Sequence, residues 1–167
     1  ITEGTSTTIV SSGLVADTAT LVVHPRVLIA FIADQGWEEA PGSLTGPRAV
    51  LQMIKNEGAD LVVHQGDFDY LDNPVAWMAQ INQSLGPNYP YLASPGNHDT
   101  LRWNGSTGYR ALLESRATRL NNAWTGIYGE MSSILFKGVR ILMGAPGYFG
   151  RSNETYAEYF REQLAVS

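Results

Sequence analysis

Apolar residues recur along this chain in two rhythms, and the alternation between them predicts its elements. After a Ser/Thr/Gly-rich lead that reads as a fraying terminus or an edge strand, β-branched runs at Thr20–Val23 and Val27–Ile32 predict strands. Pro41, Gly42, Gly46 and Pro47 mark a loop; Arg48–Asn56 then places Val50, Leu51 and Ile54 at helical spacing, with Gly58 as a C-terminal cap. The same order returns: Leu61–Val63 predicts a strand, Asp72 or Asn73 with Pro74 a helix start, Val75–Leu85 a helix, and Gly86-Pro87 its stop. Tyr89–Ala93 predicts a further strand and Tyr109–Leu120 a further helix. Strands alternating with helices predict a largely parallel sheet covered on both faces.

Beyond Ile127 the rhythm changes. IYGEMSSILFKGVRILMGAP predicts two closely spaced strands joined by a hairpin turn at Lys137-Gly138. Asn153–Val166 spaces Tyr156, Tyr159, Phe160 and Leu164 as a helix does, with Ser152 or Asn153 as its cap and Glu154 in its first turn. The fold class is α/β, with an α+β part.

A length of 167 residues suits one domain with a substantial core. With a net charge of −5 and only 16% charged residues, the chain has no basic face to neutralise a phosphate backbone, so nucleic-acid binding by charge is excluded. No run approaches the roughly 20 apolar residues of a membrane span, and the first residues lack the basic and apolar regions of a signal peptide. The chain opens on Ile rather than Met and reads as a processed product. The absence of cysteine excludes disulfides and thiolate metal sites. N-x-S/T sequons at Asn82, Asn104 and Asn153 point to a secreted glycoprotein.

The chemistry gathers where predicted strands end: Asp34 in ADQG, Asp67 in GDFDY, and Asn97-His98-Asp99 in GNHD. Open α/β sheets bind ligands outside the carboxyl ends of their strands. Singly, each motif also reads as turn chemistry, with Asp34 and Gly66-Asp67 as turn residues and Asn97-His98-Asp99 as a loop with an Asx turn. Together they assemble oxygen and imidazole donors that suit hard or borderline cations. His64, on a buried strand, reads as a core histidine, and His24 before Pro25 as a turn residue.

These motifs resemble the signature of the calcineurin-like metallophosphoesterase superfamily, which runs D-x-H or D-x-G, then GDxx, then GNH[DE]. Here they stand as Asp34-Gln35-Gly36, Gly66-Asp67-Phe68-Asp69-Tyr70 and Gly96-Asn97-His98-Asp99. Gly36 replaces the histidine of D-x-H, and Tyr70 falls where purple acid phosphatases carry the tyrosine of GDxxY. The resemblance implies a metallophosphoesterase-type β-sandwich with flanking helices, in its first half: residues 1–25 as a lead and first strand, residues 26–167 as the N-terminal half of the domain. It also implies two divalent or trivalent metal ions (Fe, Zn or Mn) that hydrolyse phosphate mono- or diesters through a metal-bound hydroxide. By position, Asp34 would ligate the first ion, Asp67 would bridge, and Asn97 would ligate the second; His98 would serve as proton donor or transition-state stabiliser. Tyr70 carries two readings, a ligand to ferric iron or a ring that anchors its loop. Asp69 and Asp99 are expected around the metals, orienting His98 or loop amides.

A complete site in this family takes two or three more histidines from later motifs, whereas the three histidines of this chain lie at or before position 98. The chain therefore reads as a fragment accompanied by its missing C-terminal half or by copies of itself. The alternative is a non-catalytic structural or assembly protein built on a half-fold. Trp37 and Trp103 follow two motif loops and read either as substrate-pocket walls or as packing.

Overall fold

The computed structural model describes residues 4–12, 15–23, 26–36 and 45–165. β1 (Gly4–Ser12) pairs antiparallel with β2 (Val15–Val23) as a separate two-stranded ribbon. The lead is thus a strand, and the run at Thr20–Val23 extends back to Val15, so the region expected to hold one strand holds two.

β3 (Ile29–Ile32), β4 (Leu61–His64) and β5 (Tyr91–Ala93) form a parallel sheet in that order. Two of these strands begin later than the apolar pattern predicts. The Leu28 amide donates to Asp60 Oδ2 (2.9 Å) rather than to the ladder, and Pro90 has no amide to donate before β5. β6 (Trp124–Ile127), β7 (Met131–Phe136) and β8 (Val139–Gly144) form an antiparallel sheet. The expected turn at Lys137-Gly138 joins β7 to β8, with φ of 47° and 83°, the left-handed pair that a tight two-residue hairpin needs.

The helices are α1 (Thr45–Asn56), α2 (Pro74–Ser84), α3 (Tyr109–Arg119) and α4 (Asn153–Ala165). Asn73 caps α2 by accepting the Ala76 amide at 3.1 Å, with Pro74 in the first turn, where a missing N–H costs nothing. α1 starts at Thr45, ahead of the expected Arg48.

Every residue of β4 is buried, so both faces of the parallel sheet are covered. Leu51 and Ile54 of α1, Trp77 and Ile81 of α2 and Leu113 of α3 share one core with β4 and β5, and Ile134 and Ile141 bring the antiparallel sheet into it. Full burial of side chains this large stabilises by roughly 1.5–3 kcal/mol each. α4 covers the other face of the antiparallel sheet, with Phe160 against Gly144. The result is a mixed α/β fold with one parallel and one antiparallel sheet packed together.

Arg116 of α3 is fully buried and donates to the C-terminal end of α2 and the loop beyond: to Asn82 Oδ1 (2.6 Å), Gly86 O (2.7 Å) and Tyr89 O (2.7 and 3.0 Å). A cation is favoured at that end of a helix, where carbonyls are left without intrahelical partners. Burial pulls its pKa down to about 10.

Candidate functional site

Because β3, β4 and β5 run parallel, their carboxyl ends lie along one edge of the sheet, and the loops that follow carry Asp34, Asp67 and Asn97–Asp99. Hydrogen bonds donated by backbone amides fasten these loops to one another. Asp34 N donates to Gly66 O (3.0 Å), Gly36 N to Asp67 O (3.3 Å), and His98 N to Asp67 Oδ1 (3.3 Å). Asp34 and Asp67 have φ of 53° and 57°, a left-handed backbone that costs a residue with a Cβ roughly 1–2 kcal/mol. Strain of this kind persists where surrounding bonds over-determine it, and it clusters at ligand sites.

Asp34, Asn97 and His98 are exposed, and among the described residues their side chains make no hydrogen bond. Tyr70 is 43% exposed, with its ring 4.6 Å from the His98 ring, centroid to centroid. The ring also lies against Gly36: a Cβ there would meet Tyr70 Cε2 at 3.0 Å. The two departures from the histidine-bearing motif are therefore spatially linked, since the glycine leaves room for the tyrosine ring.

Beneath these groups lies a buried polar layer. Asp69 accepts the Leu71 amide (2.8 Å), the Asn73 amide (3.3 Å) and the Tyr109 hydroxyl (2.6 Å). Asp99 accepts the amides of Gly96 (2.7 Å), Asp67 (2.8 Å) and Phe68 (2.9 Å). Burial pushes the Asp99 carboxyl up to about 6; the three amides pull it down, and the Asp67 charge raises it. Both aspartates meet loop amides, and neither bonds the His98 imidazole.

Trp103 is fully buried, and its indole N–H donates to Glu130 Oε1 (2.9 Å), so of its two readings the structure shows packing; Trp37 lies outside the described residues. His64 is buried in the core with Nδ1 2.6 Å from the Tyr91 hydroxyl, while Nε2 makes no hydrogen bond to the side chains and backbone described; burial drives its pKa down to about 3, against the Gly66 backbone, which raises it. His24 lies outside the described residues. Two supports have no signal in the sequence. Gln35, inside the first motif, donates to Gln80 Oε1 (3.0 Å) and accepts from Trp77 Nε1 (3.4 Å), tying that loop to α2. Glu130 takes Arg110 (3.1 Å) and Arg151 (2.6 Å), joining α3 and the approach to α4.

Among the described residues no group of three or more His, Asp or Glu side chains is placed to hold a metal ion. The donors that the loops do present are the carboxylates of Asp34 and Asp67, the Asn97 amide oxygen and the Tyr70 phenol. Their chemistry fits oxygen-preferring cations, which take about six ligands each, more than these four donors supply. A groove of about 350 Å³ leads from Ser94, Pro95 and Gly96 between Val63 and β8, with Phe31 on its wall. Phe31 is 61% exposed, and β8 pairs only with β7 among the described residues.

The fold is that of an α/β protein, a class that binds its ligands at loops on the carboxyl edge of the parallel sheet. Residues 27–163 match the calcineurin-like phosphoesterase family, and the chain belongs to that family. Among solved structures it is similar to a purple acid phosphatase isolated from yellow lupin (Lupinus luteus) seeds, at 20% identity and a TM-score of 0.45, over 90% of this chain and 30% of that one. The chain thus spans less than a third of the length of that protein. No curated protein matches it.

Proposed function

We propose that this chain forms part of a secreted phosphoesterase that hydrolyses phosphate mono- or diesters with two metal ions, Fe, Zn or Mn. The observation that supports this best is the fastening of three strand-end loops by Asp34 N to Gly66 O and His98 N to Asp67 Oδ1, with the Asp34, Asn97 and His98 side chains exposed and, among the described residues, without a hydrogen bond. Asp34, Asp67, Asn97 and Tyr70 would hold the ions. Bound metal would supply positive charge that polarises the phosphoryl oxygen and acidifies water. The His98 amide orients the Asp67 carboxylate through Oδ1, while its imidazole, unpaired and flanked by Tyr70, is free to hold a proton for the leaving oxygen.

The remaining ligands would come from a further segment of a longer protein or from a second copy. The edge of β8, which pairs only with β7 among the described residues, and the exposed Phe31 on the groove wall support that reading, since an open edge and an exposed aromatic ring both invite a partner. Secretion is supported by the sequons alone.

The test is metal content and p-nitrophenyl phosphate turnover of the natural full-length protein. Asp67→Ala is expected to lose metal and activity together, whereas His98→Ala should keep metal and lose about 10²–10⁴-fold in turnover. Unchanged metal content in Asp67→Ala would sink the assignment. The short donor set favours a second reading, a non-catalytic assembly protein, which a folded native protein with neither metal nor turnover would establish.

A further inference from the structure

An aspartate that only caps a short helix uses one oxygen for one local amide. Asp99 uses both, and two of its three amides, those of Asp67 and Phe68, lie 32 and 31 residues away. Oδ2 takes Gly96 N and Asp67 N at 2.7 and 2.8 Å, and Oδ1 takes Phe68 N at 2.9 Å. The side chain is 0% exposed and takes the amide of Asp67, itself a carboxylate-bearing residue. A carboxylate held there gives up hydration and opposes a like charge, and the three amide dipoles offset those costs.

The loops that it joins touch backbone to backbone. A Cβ on Gly66 would lie 2.4 Å from Gly96 N and 2.6 Å from Gly96 Cα, so no side chain separates them. Their spacing follows from the short bonds to Asp99. Asp67 and Asn97 ride on these two loops, one on each.

We propose that Asp99 is a positioning residue: by gripping both loops through three amides it fixes the distance between Asp67 and Asn97, and it is not itself a metal ligand. Its oxygens are buried and occupied, so the charge facing a cation comes from Asp34 and Asp67. The statement about ligands rests on the phosphoesterase reading; the grip on the loops does not.

Native-state amide exchange, followed by NMR on the metal-free chain, tests the grip without any metal. The amides of Asp67, Phe68 and Gly96 should be protected to a degree comparable with Ser94, which donates to His64 O at 3.0 Å beside the sheet. Exchange of these three at unprotected rates in the native chain would overturn the proposal without recourse to a variant. In Asp99→Asn, which keeps one acceptor oxygen and replaces the other with a donor, the three amides should exchange about tenfold faster or more while Val62 and Ser94 keep native protection. In the full-length protein, Mn²⁺ affinity should weaken about 10–100-fold at unchanged stoichiometry. Native affinity in Asp99→Asn, or the loss of one equivalent of Mn²⁺, overturns the positioning role. A native full-length protein that takes up no Mn²⁺ defeats the metal reading instead, and the exchange result still decides the grip.

Discussion

Gly96 and Asp67 are in contact: a Cβ on Gly96 would lie 2.1 Å from Asp67 Oδ1 and 2.8 Å from Asp67 N. Gly66, the residue before Asp67, also lies against the Gly96 backbone, so the two loops approach without side chains between them. Gly96→Ala is therefore expected to push the Asp67 carboxylate off the His98 amide, cost about 1–3 kcal/mol of stability, and cut Mn²⁺ affinity of the full-length protein about tenfold or more. Gly46→Ala is the control, since nothing lies within 4 Å of its Cβ position and its φ is ordinary. Urea unfolding and Mn²⁺ titration read both; equal behaviour of the two variants contradicts the close approach.

The parts of this site that were legible in the sequence are those dictated by chemistry within a few residues. Asp, Gly, Asn and His at strand ends located the three loops, and Asn73-Pro74 located the start of α2. What stayed hidden depends on partners far along the chain. Gln35 to Gln80, Glu130 to Arg110 and Arg151, and Asp99 to Phe68 each join residues that no local pattern pairs. β6 was missed for a local reason: Trp124-Thr125-Gly126-Ile127 has two exposed central positions and a glycine at φ 79°, so it lacks the alternation that marks a strand. The stretch Asn97–Arg102 reads as a loop but forms a 3₁₀ helix, because the Asp99 side chain turns back to the Gly96 amide.

His64 makes the fold sensitive to acid. Its imidazole is neutral in the fold, with a pKa near 3, and protonates near the usual 6.5 when the chain unfolds. The unfolded state thus binds more protons below pH 6.5, so stability is unaffected by His64 above that pH and falls by up to about 1.4 kcal/mol per unit as pH drops toward 3. Asp99 acts in the opposite sense, because its carboxyl is raised to about 6 in the fold: its contribution grows as pH falls through 6 toward the ordinary 3.8. The comparison of native protein with His64→Asn cancels Asp99 and isolates the histidine. Asn keeps a polar group beside the Tyr91 hydroxyl without a titrating charge. Urea unfolding between pH 4.5 and 7.5 should show the difference in stability between the two narrowing in acid, by about 2–3 kcal/mol over the range. A constant offset would refute the assignment.

Arg116 is expected to be irreplaceable by lysine. Its planar fork serves Asn82 Oδ1, Gly86 O and Tyr89 O at once, and a single ammonium on a flexible stem cannot reproduce that geometry. Arg116→Lys should leave at least one buried carbonyl unpaired and cost about 2–4 kcal/mol in urea unfolding. A loss below about 0.5 kcal/mol, the scale of an ordinary surface change, would show that the α2 end does not depend on the guanidinium.

Asn82 joins this network, and that separates it from the other two sequons. It lies inside α2, is half-buried, and holds its Oδ1 2.6 Å from Arg116. Asn104 and Asn153 are exposed, the first in the loop before α3 and the second at the first residue of α4. A glycan on Asn82 would require its amide group, already fixed by a buried cation, to carry a bulky hydrophilic chain out of a partly buried position. In a secretory expression host the expected outcome is two occupied sites, Asn104 and Asn153, read as two mass decrements on enzymatic deglycosylation and as Asp at those positions in peptide mapping. Asn104→Gln with Asn153→Gln should then abolish the glycan. Carbohydrate on Asn82 in folded protein would mean that the Arg116 contact is dispensable, and the loss predicted for Arg116→Lys would have to be withdrawn with it.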